Sequence, residues 1–231
     1  KYGTQSAIAL LRQQYDYGGF YDLKKLSMKE IRGVQYLAAM NPTAGSFFII
    51  DRMQRHFATF ATLFPENDVL YSIYYKILAG HFGQGGFADS ITKVVGEKVV
   101  MAHKLISAAL MLHKLVADSF VPTAVKFHYQ WNLRELSRVT QGLLMSSPEN
   151  YFEPQVLIRL WLHESYRVYG DRLTDEQDAT RFDEQVLRTA KNFFEDEDQD
   201  ELHRRPLAFT KFAKWSPGMD ADEELPYYQV A

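Results

Sequence analysis

Cysteine is absent from all 231 residues, so the chain holds no disulfide and no thiolate metal site, as suits a reducing compartment. No apolar run approaches the roughly 18 residues that span a bilayer, and the first residues lack the charged-then-apolar layout of a signal peptide. A positive excess is missing too. The 26 Lys and Arg stand against 29 Asp and Glu, which argues against nucleic-acid and anionic-membrane partners. No GxxxxGK(S/T) loop occurs to cradle phosphates, and no pair of acids ends an apolar strand to hold magnesium. GxSxG and HExxH are absent, and the seven histidines are scattered, which excludes a self-contained hydrolase or zinc centre. No metal site is expected.

What is present suffices for a folded core: 46% of residues are hydrophobic and 14% aromatic. Charge is unevenly placed. Residues 1 to 170 hold 18 basic and 13 acidic side chains, a net of +5, whereas 171 to 201 hold 4 and 12, a net of −8. The opening Lys1-Tyr2-Gly3-Thr4 is not an initiator methionine and enters a helical pattern at once, so the chain reads as cut from something longer.

A helix is expected from Thr4 to Gln14, capped by Thr4 or Ser6 and ended by Gly18-Gly19, then a short hairpin around Lys24-Lys25. Val34 to Met40 and Phe57 to Phe64 are apolar on both alternating faces, the pattern of strands covered on both sides. Asp51 to His56 forms a short helix between them. Pro65 starts a helix with the stripe Leu70, Ile73, Tyr74, Ile77 and Leu78, stopping at Gly80. A long helical period follows from Ile91 to Phe120. Asn132 and Glu135 make a capping box for a helix that buries Leu136, Val139 and Leu143 and turns Arg134, Arg138 and Gln141 outward. Further helices cover Pro154 to Tyr169 and Asp175 to Phe194, and the acidic run at 195–201 reads as a solvated linker. The fold class is therefore α/β followed by all-α. A partial α/β subdomain is expected at 1–65, a helical subdomain at 66–194, and an acidic linker with an extended segment at 195–231.

Three polar positions stand out chemically. Asn41 ends an apolar strand, where α/β sheets present groups to ligands, although Asn41-Pro42 also reads as a plain turn. Arg52 and Arg55 share one face of a short helix. Arg55 has two readings, a reach to a phosphate on a neighbouring subunit or a pair with a local acid. Arg134 lies in a first helical turn, where the helix dipole disfavours a cation unless an anion compensates it.

Taken together, YGTQSAIALLRQQYDYGGFYD, MNPTAGSFFIIDRMQRHFATFATLFP, VPTAVKFHYQWNLRELSRVTQGLL and LIRLWLHESYRVYGDRL resemble axonemal dynein heavy chains of the outer-arm type. The match lies in the C-terminal portion of the third AAA+ module of the motor ring. The resemblance implies a truncated AAA+ module, a partial parallel sheet without its Walker A and Walker B elements followed by a helical lid. It places Asn41 as sensor 1, Arg134 as sensor 2 and Arg55 as an arginine finger acting in trans. At 49–52 the sequence reads IIDR where the family pattern has a polar residue and a proline before the arginine, so Arg52 stays an alternative to Arg55. It further implies ATP or ADP with Mg2+ in the intact module, the Mg2+ ligands lying outside this chain, which alone is expected to be inactive. The implied partners are neighbouring AAA+ modules, microtubules and dynein intermediate and light chains, at the axoneme of a cilium or flagellum. Two roles follow: a regulatory module that senses nucleotide and relays ring conformation, or a purely structural ring element.

Overall fold

The computed structural model describes residues 5–40, 50–205, 207–210 and 228–230. The chain divides into two compact units, Lys1–Phe64 and Pro65–Ala231.

In the first unit, α1 (Ser6–Tyr17) ends on Gly18, whose φ of 72° is the left-handed C-cap that glycine adopts without penalty. The helix runs three residues past the expected Gln14, and Gln5 is its N-cap residue, with no side-chain cap bond. Gly19 has a different reason for being glycine. It begins β1 (Gly19–Tyr21), and a Cβ there would lie 2.0 Å from the Lys29 carbonyl oxygen of the antiparallel β2 (Met28–Glu30). The turn between them is fixed by Asp22, whose Oδ1 accepts the amides of Lys24 and Lys25. The short helix expected from Asp51 to His56 is α2 (Asp51–Gln54), two residues shorter.

The two runs read as doubly covered strands form no strand here. Residues 34–40 and 57–64 pair with no ladder partner among the described residues, and Leu37 is fully exposed and Leu63 nearly so. The pattern needs hydrogen-bonding neighbours on both edges and cover on both faces. The described residues of this unit supply neither.

The second unit is helical. It comprises α3 (Asn67–Gln84), α4 (Asp89–Thr92), the hairpin β3 (Val94–Val95) and β4 (Lys98–Val99), α5 (Val100–Ser119), α6 (Leu133–Leu143), α7 (Pro154–Val168), a 3-10 turn at Gly170–Arg172, α8 (Glu176–Phe193) and α9 (Gln199–Leu202). A parallel pair of strands, β5 (Ala208–Thr210) and β6 (Tyr228–Val230), follows. The α5 helix lies at the centre, against α3, α6, α7 and α8. By length and composition it could cross a membrane, but Leu105, Leu112 and Val116 on it are fully buried in the core.

Three expectations are corrected. The α3 helix does not stop at Gly80 but continues to Gln84, because Leu78 and Phe82, both fully buried, extend the packed stripe past the glycine. That stripe is Leu70, Tyr74, Leu78 and Phe82, leaving Ile73 and Ile77 about half exposed. Val94 and Val95 belong not to a long helix but to the hairpin, turned at Gly96 with φ 64°. The acidic run at 195–201 is folded rather than a free linker. Asp198 Oδ1 caps α9 by accepting the Asp200 amide at 3.0 Å, and Leu202 is fully buried. Arg159 of α7, itself buried, donates to the carbonyls of Glu201, Leu202 and Arg204 and so fixes the segment to the helical unit.

Candidate functional site

Arg134 stands at the second position of α6, and the predicted capping box forms around it. Asn132 Oδ1 accepts the Arg134 amide at 2.9 Å, and Glu135 Oε2 accepts the Asn132 amide at 2.9 Å. Leu136, Val139 and Leu143 are buried, so Arg134, Arg138 and Gln141 face outward as expected. The Arg134 guanidinium is exposed and has no side-chain partner among the described residues. That leaves a cation at the wrong end of the helix dipole with nothing to offset it but the adjacent Glu135.

Glu135 is committed elsewhere. Its Oε1 accepts Arg172 Nη1 at 2.9 Å, with only 6% of the Glu135 side chain exposed. The same guanidinium donates through Nη2 to the carbonyls of His128, at 2.8 Å, and Gln130, and lies 4.5 Å from the Trp131 ring centroid. In return, His128 Nε2 lies 3.1 Å from the Arg172 carbonyl. One arginine therefore binds the 3-10 turn, the loop ahead of α6 and the cap of α6, and so sets where Arg134 is presented.

Behind this clamp His113 Nδ1 and Tyr169 Oη lie 3.0 Å apart in the core. Burial lowers the His113 pKa below its ordinary 6.5, nearby Glu135 opposing in part, and raises that of Tyr169. Burial likewise lowers His103, His163 and His203. As the pH falls through 6.5 the unfolded chain takes up protons that the folded unit refuses, so stability is full above 6.5 and declines below it. Urea midpoints should fall between pH 7.5 and 5.5, and His113→Gln should flatten that slope.

In the first unit, Arg55 follows α2 directly, and its Nη2 donates to Asp16 Oδ1 at 2.8 Å. Of the two readings for this arginine, the local acid is what the structure shows. Arg52 is exposed and has no partner among the described residues. Asn41 lies outside the described residues. Asp16 and Arg172 were missed in the sequence: each meets its partner across more than thirty residues, and no local spacing marks such a pair.

Residues 1–65 match the family model of the P-loop containing dynein motor region, and residues 105–204 match that of the AAA+ lid domain. Over 229 residues, 99% of this chain, it is 47% identical to dynein axonemal heavy chain 11 of Sus scrofa. It is 47% identical over 92% of its length to the ciliary dynein beta chain of Tripneustes gratilla, and 44% identical over its whole length to the flagellar outer-arm dynein beta chain of Chlamydomonas reinhardtii. The chain belongs to the axonemal dynein heavy-chain family. It spans about 5% of the length of each of these relatives. Within that family the described elements are those of part of an AAA+ module with its helical lid. The lid match begins inside α5 and ends just beyond α9, so Arg134, Glu135, Arg172 and the folded acidic run all fall within the dynein lid.

Proposed function

We propose that this segment is the nucleotide-sensing part of a regulatory AAA+ module, the third of the ring, in an ATP-driven axonemal dynein motor. The observation that carries this reading is Arg134: an exposed guanidinium with no side-chain partner among the described residues, carried on the first turn of a helix whose cap is fixed by the Arg172–Glu135 pair. A phosphate fits that position, since it would supply the anion the helix dipole otherwise lacks. ATP or ADP with Mg2+ in the intact module would supply the phosphate charge to be sensed. Arg134 would read that charge from the lid, Asn41 would orient a water beside it, and Arg55 would be offered to the nucleotide of the preceding module. The phosphate loop and the acids for magnesium would come from other parts of the heavy chain. Through the ring, the module would act with its AAA+ neighbours, with microtubules and with intermediate and light chains in the axoneme of a cilium or flagellum.

The test is motility of the intact motor bearing Arg134→Ala or Asn41→Ala. Loss of the nucleotide dependence of gliding velocity, by about tenfold or more in the ATP needed, supports sensing; each lost charged contact is worth a factor of this order. Indifference to both substitutions would instead support a ring element that only transmits strain.

A further inference from the structure

Resting on the arginine-finger reading of Arg55, we propose that Asp16 is the resident counterion of that finger: it holds the guanidinium while Arg55 is disengaged and gives it up to a neighbour's phosphates. Asp16 lies in the last turn of α1, with 21% of its side chain exposed. Two arginines and a histidine surround this one carboxylate. Arg55 Nη2 and His56 Nε2 lie 2.8 and 3.0 Å from Oδ1, and Arg12 Nε, one turn back on α1, lies 3.7 Å from Oδ2.

This surplus is what a release mechanism needs. When Arg55 leaves, the aspartate still faces His56 and Arg12, whose Nε lies 3.7 Å away. His56 is held in place meanwhile: Tyr15 stacks on its ring at 5.1 Å with an interplanar angle of 20°, and Tyr15 also contacts Phe57. Arg55 is bound loosely by comparison. Its side chain is 62% exposed; one amino nitrogen donates to Asp16 and Nε donates to His56 Nε2 at a long 3.4 Å. An ion pair this exposed is weak. A phosphate that accepts the guanidinium through two parallel bonds is the stronger partner. The exchange therefore runs toward phosphate when one is presented, and back to Asp16 when it departs. A carboxylate serving only to tie α1 to the α2 region would need one partner there, and His56 already provides it.

The experiment uses the full-length heavy-chain motor and reads single-turnover ATP hydrolysis at the preceding module for Asp16→Asn, Asp16→Glu, Arg55→Ala and the double variant Asp16→Asn/Arg55→Ala. Freeing the finger by Asp16→Asn should raise turnover about two- to fivefold, the range of an exposed ion pair. Asp16→Glu should stay near the parent rate, and in the Arg55→Ala background Asp16→Asn should change nothing. If Asp16→Asn lowers turnover equally with and without Arg55, or leaves it unchanged while Arg55→Ala reduces it, the counterion role falls and the finger stands. If Arg55→Ala itself has no effect, both fall.

Discussion

If Arg55 is the proposed finger, replacing it with alanine in the intact motor should lower ATP turnover at the preceding module by about 10³-fold, the lower end of what removal of an arginine finger costs. The magnitude follows from where the charge acts. A guanidinium beside a transferring phosphoryl group offsets charge that spreads over its oxygens only in the transition state, so its loss appears in the hydrolysis step rather than in nucleotide binding. Single-turnover hydrolysis separates the two. Arg55→Lys should recover little, because an ammonium cannot make the two parallel bonds of the planar fork. Arg52→Ala should leave turnover within about twofold of the parent, as a remote surface charge does. A large loss with Arg52→Ala and none with Arg55→Ala would move the finger one helical turn back, to the residue that has no partner among the described residues.

The second large effect falls on stability. Arg172→Ala should destabilise the lid unit by about 3–5 kcal/mol, because it strands the Glu135 carboxylate in the interior with its countercharge gone. Only 6% of the Glu135 side chain is exposed, and its other oxygen is bound to the Asn132 amide, so it cannot turn out to water without opening the capping box. The His128 and Gln130 carbonyls lose their donor at the same time. Urea denaturation of the segment from Pro65 onward measures this. A loss below about 1 kcal/mol would place the pair among ordinary surface ion pairs. Because the same carboxylate caps α6, the substitution should also weaken the nucleotide response proposed for Arg134.

Local features of the chain were legible and distant ones were not. The capping box at Asn132 and Glu135 is written within four residues, and the structure forms it; the buried stripe of α6 follows from the same short window. Pro154 opens α7 and Gly18 ends α1 for equally local reasons. The runs 34–40 and 57–64 are apolar on both alternating faces yet form no strand, because partners decide whether such a run becomes one, and among the described residues it has none. The α3 stripe shifted because Phe82, beyond the supposed stop at Gly80, packs better than Ile73 or Ile77. Composition misled at 195–201, where six acids in seven residues suggested a solvated linker. Burial of Leu202 and the donors of Arg159 outweigh that solvation.

The candidate residues divide in the same way. Arg134 is marked by a purely local misfit with the helix dipole, and its guanidinium is exposed with no side-chain partner among the described residues. Arg55 offered two partners by chemistry, and only the fold brings it to Asp16, thirty-nine residues away. Arg172 gave no local signal, since its role arises from contacts with Glu135, His128 and Trp131 brought together by the fold.

The most direct measurement is a structure of the intact heavy-chain motor trapped with a non-hydrolysable ATP analogue. The account predicts the Arg134 guanidinium within hydrogen-bond distance of a phosphate in its own module, with Arg55 detached from Asp16 and turned to the nucleotide of the preceding module. Nucleotide bound in both modules, with Arg134 still in solvent and Arg55 still on Asp16, would contradict it.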